Sequence, residues 1–173
     1  MIITAQTIRQ PIAGSYKEMI FEAPSSVEQW TWVKFEDAMY NEFVGQFPGA
    51  SVTVALSENN ELFYVLTDSF LFEVSRDDLK KYTCYDFWDT GSTLKNVTFT
   101  PKGVTIFSDD YHIFTTNGSF ESKQQIPLPF KLDMIQFQGW QENSLVIRAE
   151  LFIEGRSVQL LLDATTFITS KCN

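Results

Sequence analysis

The chain has 173 residues, about one domain's worth, so residues 1–173 are read as a single all-β domain that needs no disulfide or metal for its core. Apolar residues make up 44 % and aromatics, led by sixteen Phe, 15 %, which excludes a disordered chain and leans towards β-structure. Twenty-two acidic against thirteen basic residues leave a net charge of -9. Such a surface repels phosphate backbones and anionic membranes and steers a basic protein in, so the expected partner is a basic protein, with no nucleic acid and no membrane.

Residues 1–22 read as two strands around Ala13-Gly14, and the N-terminus lacks the basic and unbroken apolar regions of a signal peptide. No apolar run reaches the ~20 residues needed to cross a bilayer. A cytoplasmic location is expected. Residues 25–47 admit two readings. As a helix, Ser25-x-x-Glu28 is a capping box and Trp32, Phe35, Met39 and Phe43 form a stripe. As a hairpin, 28–36 and 42–47 are strands joined by a loop, the reading that the strand-favouring run Trp30–Phe35 supports better. Residues 30–75 then form a first, larger unit.

From residue 51 the pattern is clearer. Ser51–Leu56, with Val52, Val54 and Leu56 on one face, Leu62–Leu66 and Phe70–Val74 are three strands joined by tight turns. A second round runs Asn96–Thr100, Val104–Phe107 and Tyr111–Thr115, with Asn117-Gly118 as a type I′ hairpin signal returning through Ser119-Phe120. A third runs Met134–Gln138, Ser144–Ile153 and Ser157–Leu162. Middle strands begin near Leu62, Val104 and Leu145, a spacing of 42 and then 41 residues. The fold class is therefore mainly β: antiparallel meanders in about three repeated units, as an open propeller-like stack or a β-sandwich. Closed propellers need more blades than three.

Chemistry is sparsely marked. Asp89-Thr90-Gly91-Ser92 after Phe87-Trp88 resembles the active-site signature of aspartic proteases, in which two aspartates share a proton over a water. Asp163 follows an apolar run but continues as Ala164-Thr165, which departs from that signature. An aspartate-dependent hydrolase using Asp89 and Asp163 stays as an alternative. His112, the sole histidine, has Asp109 and Asp110 beside it but no evident nucleophile, and is placed within a strand. Cys84 sits among aromatic and acidic residues that raise a thiol pKa, and Cys84 and Cys172 are too isolated for a zinc site. No cofactor, metal or catalytic residue is expected.

The remaining candidate is a binding surface. Residues 76–92 form the longest connection between repeats and combine acids with Tyr82, Tyr85, Phe87 and Trp88. Exposed loop aromatics ringed by charge anchor interfaces; the alternative is a short helix whose aromatics cap the core. Acidic turns at Glu58/Glu61 and Asp109-Asp110 offer further tips that a meander gathers at its edges. Tyr82, Tyr85, Asp86, Trp88, Asp89, Asp109 and Asp110 are the expected partner-binding residues. The stretches Trp32–Glu36, Glu42–Gly49 and Leu62–Thr67 resemble small acidic immunity proteins of bacterial polymorphic or contact-dependent toxin systems. That resemblance implies a non-enzymatic inhibitor of a basic toxin domain, such as a nuclease. A structural or scaffold β-module is the other reading.

Overall fold

The computed structural model describes residues 1–91 and 93–171. Among them the chain is mainly strand, arranged as four four-stranded sheets, and it divides into two compact units, Met1–Thr93 and Leu94–Asn173.

In the first unit, β1 (Ile2–Ile8), β2 (Lys17–Ile20), β3 (Trp30–Asp37) and β4 (Glu42–Pro48) form one sheet in the order β1-β3-β4-β2. The β2–β4 pair is parallel and the other pairs are antiparallel. Residues 25–47 thus contain the hairpin, not the helix. The turn is held by Asp37, whose carboxylate accepts from the backbone N–H of Met39 and Asn41 and from the Asn41 amide. The expected 30–75 unit does not form, because β3 and β4 pair with β1 and β2 while the strands after residue 50 start a new sheet.

That second sheet is β5 (Ser51–Leu56), β6 (Leu62–Thr67), β7 (Phe70–Ser75) and β8 (Tyr82–Asp86), in sequence order and antiparallel. The register shifts between Ser51 and Thr53. An irregularity there breaks the strict alternation expected of β5, so Val52 is exposed while Val54 and Leu56 pack against the core. The two inner faces share one Phe-rich core: Phe35 and Phe47 from the first sheet, with Phe21 just after β2, meet Phe63, Phe70 and Phe72 from the second. Phe21 stacks on Phe47 at 4.0 Å between centroids, and Phe47 meets Phe72 edge-on at 5.0 Å. Gly45 makes room for this cluster, since a Cβ there would lie 2.7 Å from the Phe35 and Phe47 rings. Arg76, only 4 % exposed, ties the unit together through carbonyls: Nε donates to Ile2 O at 3.0 Å and Nη1 to Ser57 O at 2.8 Å and Asn60 O at 2.9 Å.

The second unit repeats the meander twice. One sheet is β9 (Asn96–Phe99), β10 (Thr105–Ser108), β11 (Ile113–Thr116) and β12 (Gln124–Ile126); the other is β13 (Leu132–Gln141), β14 (Ser144–Leu151), β15 (Arg156–Asp163) and β16 (Thr169–Lys171). Ile106, Ile113 and Ile126 of the first pack with Leu145, Ile147 and Leu160 of the second. The repeat read from sequence is real: β6, β10 and β14, whose starts set the period, are each the second strand of a sequential meander.

Two details differ. Asn117-Gly118 is not a two-residue hairpin; Thr116 Oγ1 instead accepts from Gly118 N at 3.0 Å and bonds Ser119 O at 3.1 Å, a 3₁₀ turn follows at Phe120–Ser122, and β12 is the return strand. His112 lies before β11 rather than inside it, because Asp109 Oδ1 accepts from Tyr111 N at 2.7 Å and His112 N at 2.6 Å and holds both in the turn.

Candidate functional site

The described part of the 76–92 segment holds one short strand and one helical turn. Residues Tyr82–Asp86 are β8, the outer strand of the second sheet, and Phe87–Thr90 make a single helical turn, α1. Asp86 has extended backbone and caps this turn, Oδ1 accepting from Trp88 N at 2.9 Å while Oδ2 accepts from Ser25 Oγ at 2.8 Å. Gly91 closes it in the left-handed region at φ 65°, its N–H donating to Phe87 O. Phe87 is buried and Phe87 N donates to Ser69 O at 3.1 Å, so the turn is anchored on both sides. Trp88 is left 92 % exposed, and Asp89 beside it is exposed too. Ser92, the last residue of the protease-like signature, lies outside the described residues.

Strand alternation divides the other candidates. Tyr82 and Cys84 pack against the Phe core; the Tyr82 ring meets Phe21 edge-on at 5.0 Å and its hydroxyl accepts from Glu22 N at 2.9 Å. Tyr82 is therefore a core residue with a satisfied hydroxyl. Tyr85, offset by one from that face, is half-buried. Burial, and next the charge of Asp86, push the Cys84 thiol up to about 12, which leaves it protonated and poorly nucleophilic. Cys172 lies outside the described residues. The Glu58/Glu61 turn does not join this site. It sits where Leu62 faces Ser75, whereas α1 follows the Asp86–Phe70 pair at the opposite end of the sheet.

Asp109 and Asp110 belong to the second unit. Asp109 is committed to its turn, and its Oδ2 lies 3.2 Å from His112 Nδ1. Asp110 is half-buried, its Oδ2 3.9 Å from Lys95 Nζ. Asp163, the second acid of the hydrolase reading, is likewise a turn clamp. Oδ1 accepts from Thr165 N, Thr166 N and Thr166 Oγ1, and Oδ2 from Asn143 Nδ2. The backbone bond from Thr166, then that from Thr165, hold its pKa below the usual aspartate value. Its two oxygens are thus taken up in holding the turn, whereas a dyad acid must face its partner to share a proton over a water.

Of the seven expected binding residues, Asp86, Trp88 and Asp89 form a shared turn; Tyr82 and Asp109 have structural tasks. Ser25 and Glu22, which hold β8 and α1 in place, were not legible. Their partners stand 61 and 60 residues away, and no local pattern encodes such a pairing. Among the described residues no helix is long and apolar enough to cross a membrane.

No family model and no curated protein matches the chain. Similar solved structures include the dihydro-heme d1 dehydrogenase NirN in complex with DHE, at 13 % identity over 83 % of this chain and 33 % of that one, with a TM-score of 0.53. Another is a catalytically inactive virginiamycin B lyase from Staphylococcus aureus with quinupristin, at 10 % identity over 98 % of this chain and 74 % of that one, with a TM-score of 0.44. The chain spans about a third of the NirN length. At such identity the likeness to NirN is one of fold alone.

Proposed function

We propose that this chain is a non-catalytic protein-binding protein of the bacterial cytoplasm, an immunity protein that neutralises a basic toxin domain, with Trp88 as its anchor. One observation carries the reading. A tryptophan 92 % exposed stands on a turn fixed at both ends by a cap, by a buried Phe87 and by the Ser25–Asp86 bond. An exposed apolar ring on a rigid support loses little conformational freedom on binding, which is what gives interface tryptophans their large share of binding energy. Asp89 beside it and the net charge of -9 supply attraction for a basic partner.

The test is neutralisation. Co-expression with the cognate toxin domain is expected to restore growth, and Trp88→Ala to weaken the complex by about thirtyfold or more, as for a hot-spot residue. Asp89→Asn is expected to slow association with little change in dissociation. Trp88→Ala binding the toxin domain with wild-type affinity would remove this turn from the interface.

A further inference from the structure

The second unit holds a cavity that neither the turn at Trp88 nor any expected site residue explains. Its volume is about 450 Å³, and Tyr111, His112, Phe130, Lys131, Leu132 and Phe152 are among its walls. That size falls within the ~300–1,000 Å³ of small-molecule sites, which are mostly apolar with a few placed polar groups.

Three connections supply the walls: the turn before β11, the segment between β12 and β13, and the turn after β14. Each contributes an aromatic ring that the core does not take up, with Tyr111 50 %, Phe130 40 % and Phe152 61 % exposed. Most other Phe side chains of the chain are buried, so three open rings around one cavity set this place apart. The walls are also fixed in advance. Asp109 Oδ1 holds the backbone of Tyr111 and His112, and Phe152 N donates to Lys131 O at 3.0 Å, which clamps two walls together. Leu132, buried, forms the floor.

The polar groups indicate the ligand's charge. Lys131 Nζ has no ion-pair partner among the described residues. No carboxylate is among the described residues that line the cavity, and Asp109, in the turn that carries Tyr111 and His112, is engaged by two backbone N–H groups and by the His112 ring at 3.2 Å. With Nδ1 turned to Asp109, the other ring nitrogen of His112 is left for a ligand or water. We propose that this cavity binds a small aromatic carboxylate, its ring against Phe130, Phe152 and Tyr111 and its carboxylate on the Lys131 ammonium.

His112 is the sole histidine, so its imidazole nitrogen signals report on the cavity without ambiguity. Titration of the full chain with 3-phenylpropionate, followed on those signals, is expected to give saturable shifts. Lys131→Gln is expected to weaken the carboxylate roughly tenfold, the usual effect of losing a hydrogen bond to a charged group, and to leave the uncharged 3-phenylpropionamide unaffected. Phe152→Ala is expected to weaken both probes; the side chain is surface-exposed, so the variant keeps its backbone amide spectrum. Static His112 signals at tens of millimolar probe overturn the proposal, as does wild-type affinity in both variants. Equal binding of the acid and its amide overturns the carboxylate assignment, and equal binding of hexanoate overturns the aromatic one.

Discussion

Asp86 is the residue on which the exposed Trp88 depends. Its two oxygens serve different chain segments, one the N-terminus of α1 and the other Ser25, so its removal loosens the turn and its tether together. Asp86→Ala is predicted to cost about 1–2 kcal/mol in urea unfolding, the range of a lost helix cap, while Asp86→Asn should recover most of it. Gly45 marks the opposite limit, a place with no room. An added Cβ would sit 2.7 Å from Phe35 and Phe47 and 2.8 Å from Phe21, and rings packed on both sides have nowhere to move. Gly45→Ala is predicted to destabilise by about 1–3 kcal/mol, the usual cost of overpacking, and a stability equal to wild type would show that the Phe cluster yields more than its contacts imply. Cys84 gives a chemical reading of the same core. In a Cys172→Ser background, its thiol is predicted to stay unlabelled by a thiol reagent at pH 8 in the folded protein and to react at once in denaturant, because burial holds its pKa up at about 12.

At the scale of elements, carboxylates close the turns. Asp37 at the end of β3 and Asp163 at the end of β15 both accept bonds from groups ahead of them, the Asn41 amide and backbone N–H for Asp37 and the Thr166 and Thr165 backbone N–H for Asp163, and both have pKa values held below the ordinary aspartate. The sign follows directly. A carboxylate whose folded pKa is depressed contributes stability that is complete above its unfolded value of about 3.9 and is lost as the pH falls through the folded value. Acid unfolding of the wild type is therefore predicted to steepen below about pH 4. Asp163→Asn should flatten that dependence while lowering stability at neutral pH, and an unchanged acid profile would show that Asp163 contributes nothing to it. The central strands of each meander were legible because they carry unbroken apolar or alternating runs: Phe63–Leu66 and Phe70–Val74 are buried on both faces. The outer strands were not. β8, β12 and β16 are short and half-exposed, so each sends too few residues into the core to stand out as a run, and they become strands because a neighbour offers an unpaired edge. The hairpin at 30–48 was readable for the opposite reason, since β-branched and aromatic residues outweighed a capping box that has no helix behind it.

Across the whole molecule the acid excess sets the terms of encounter. If a basic partner is steered by a charge of -9, its association rate should fall steeply as salt rises while dissociation changes little, since screening acts on exposed charges at distance more than on packed contacts. Stopped-flow binding at several salt concentrations checks this, and a salt-independent association rate would remove charge steering from the proposal. Composition, the 41–42-residue period and the turn residues between apolar runs were enough to establish a β-protein of repeated meanders, because strand alternation and turn chemistry are local and are written in neighbouring residues. The tertiary structure alone decided which acids are free and which are clamps, that Tyr82 belongs to the core and Trp88 to the solvent, and that Tyr111, Phe130 and Phe152 surround one cavity. Those outcomes rest on contacts between residues tens of positions apart, such as Ser25 with Asp86, and whether an aromatic ring is buried depends on what the rest of the chain places over it.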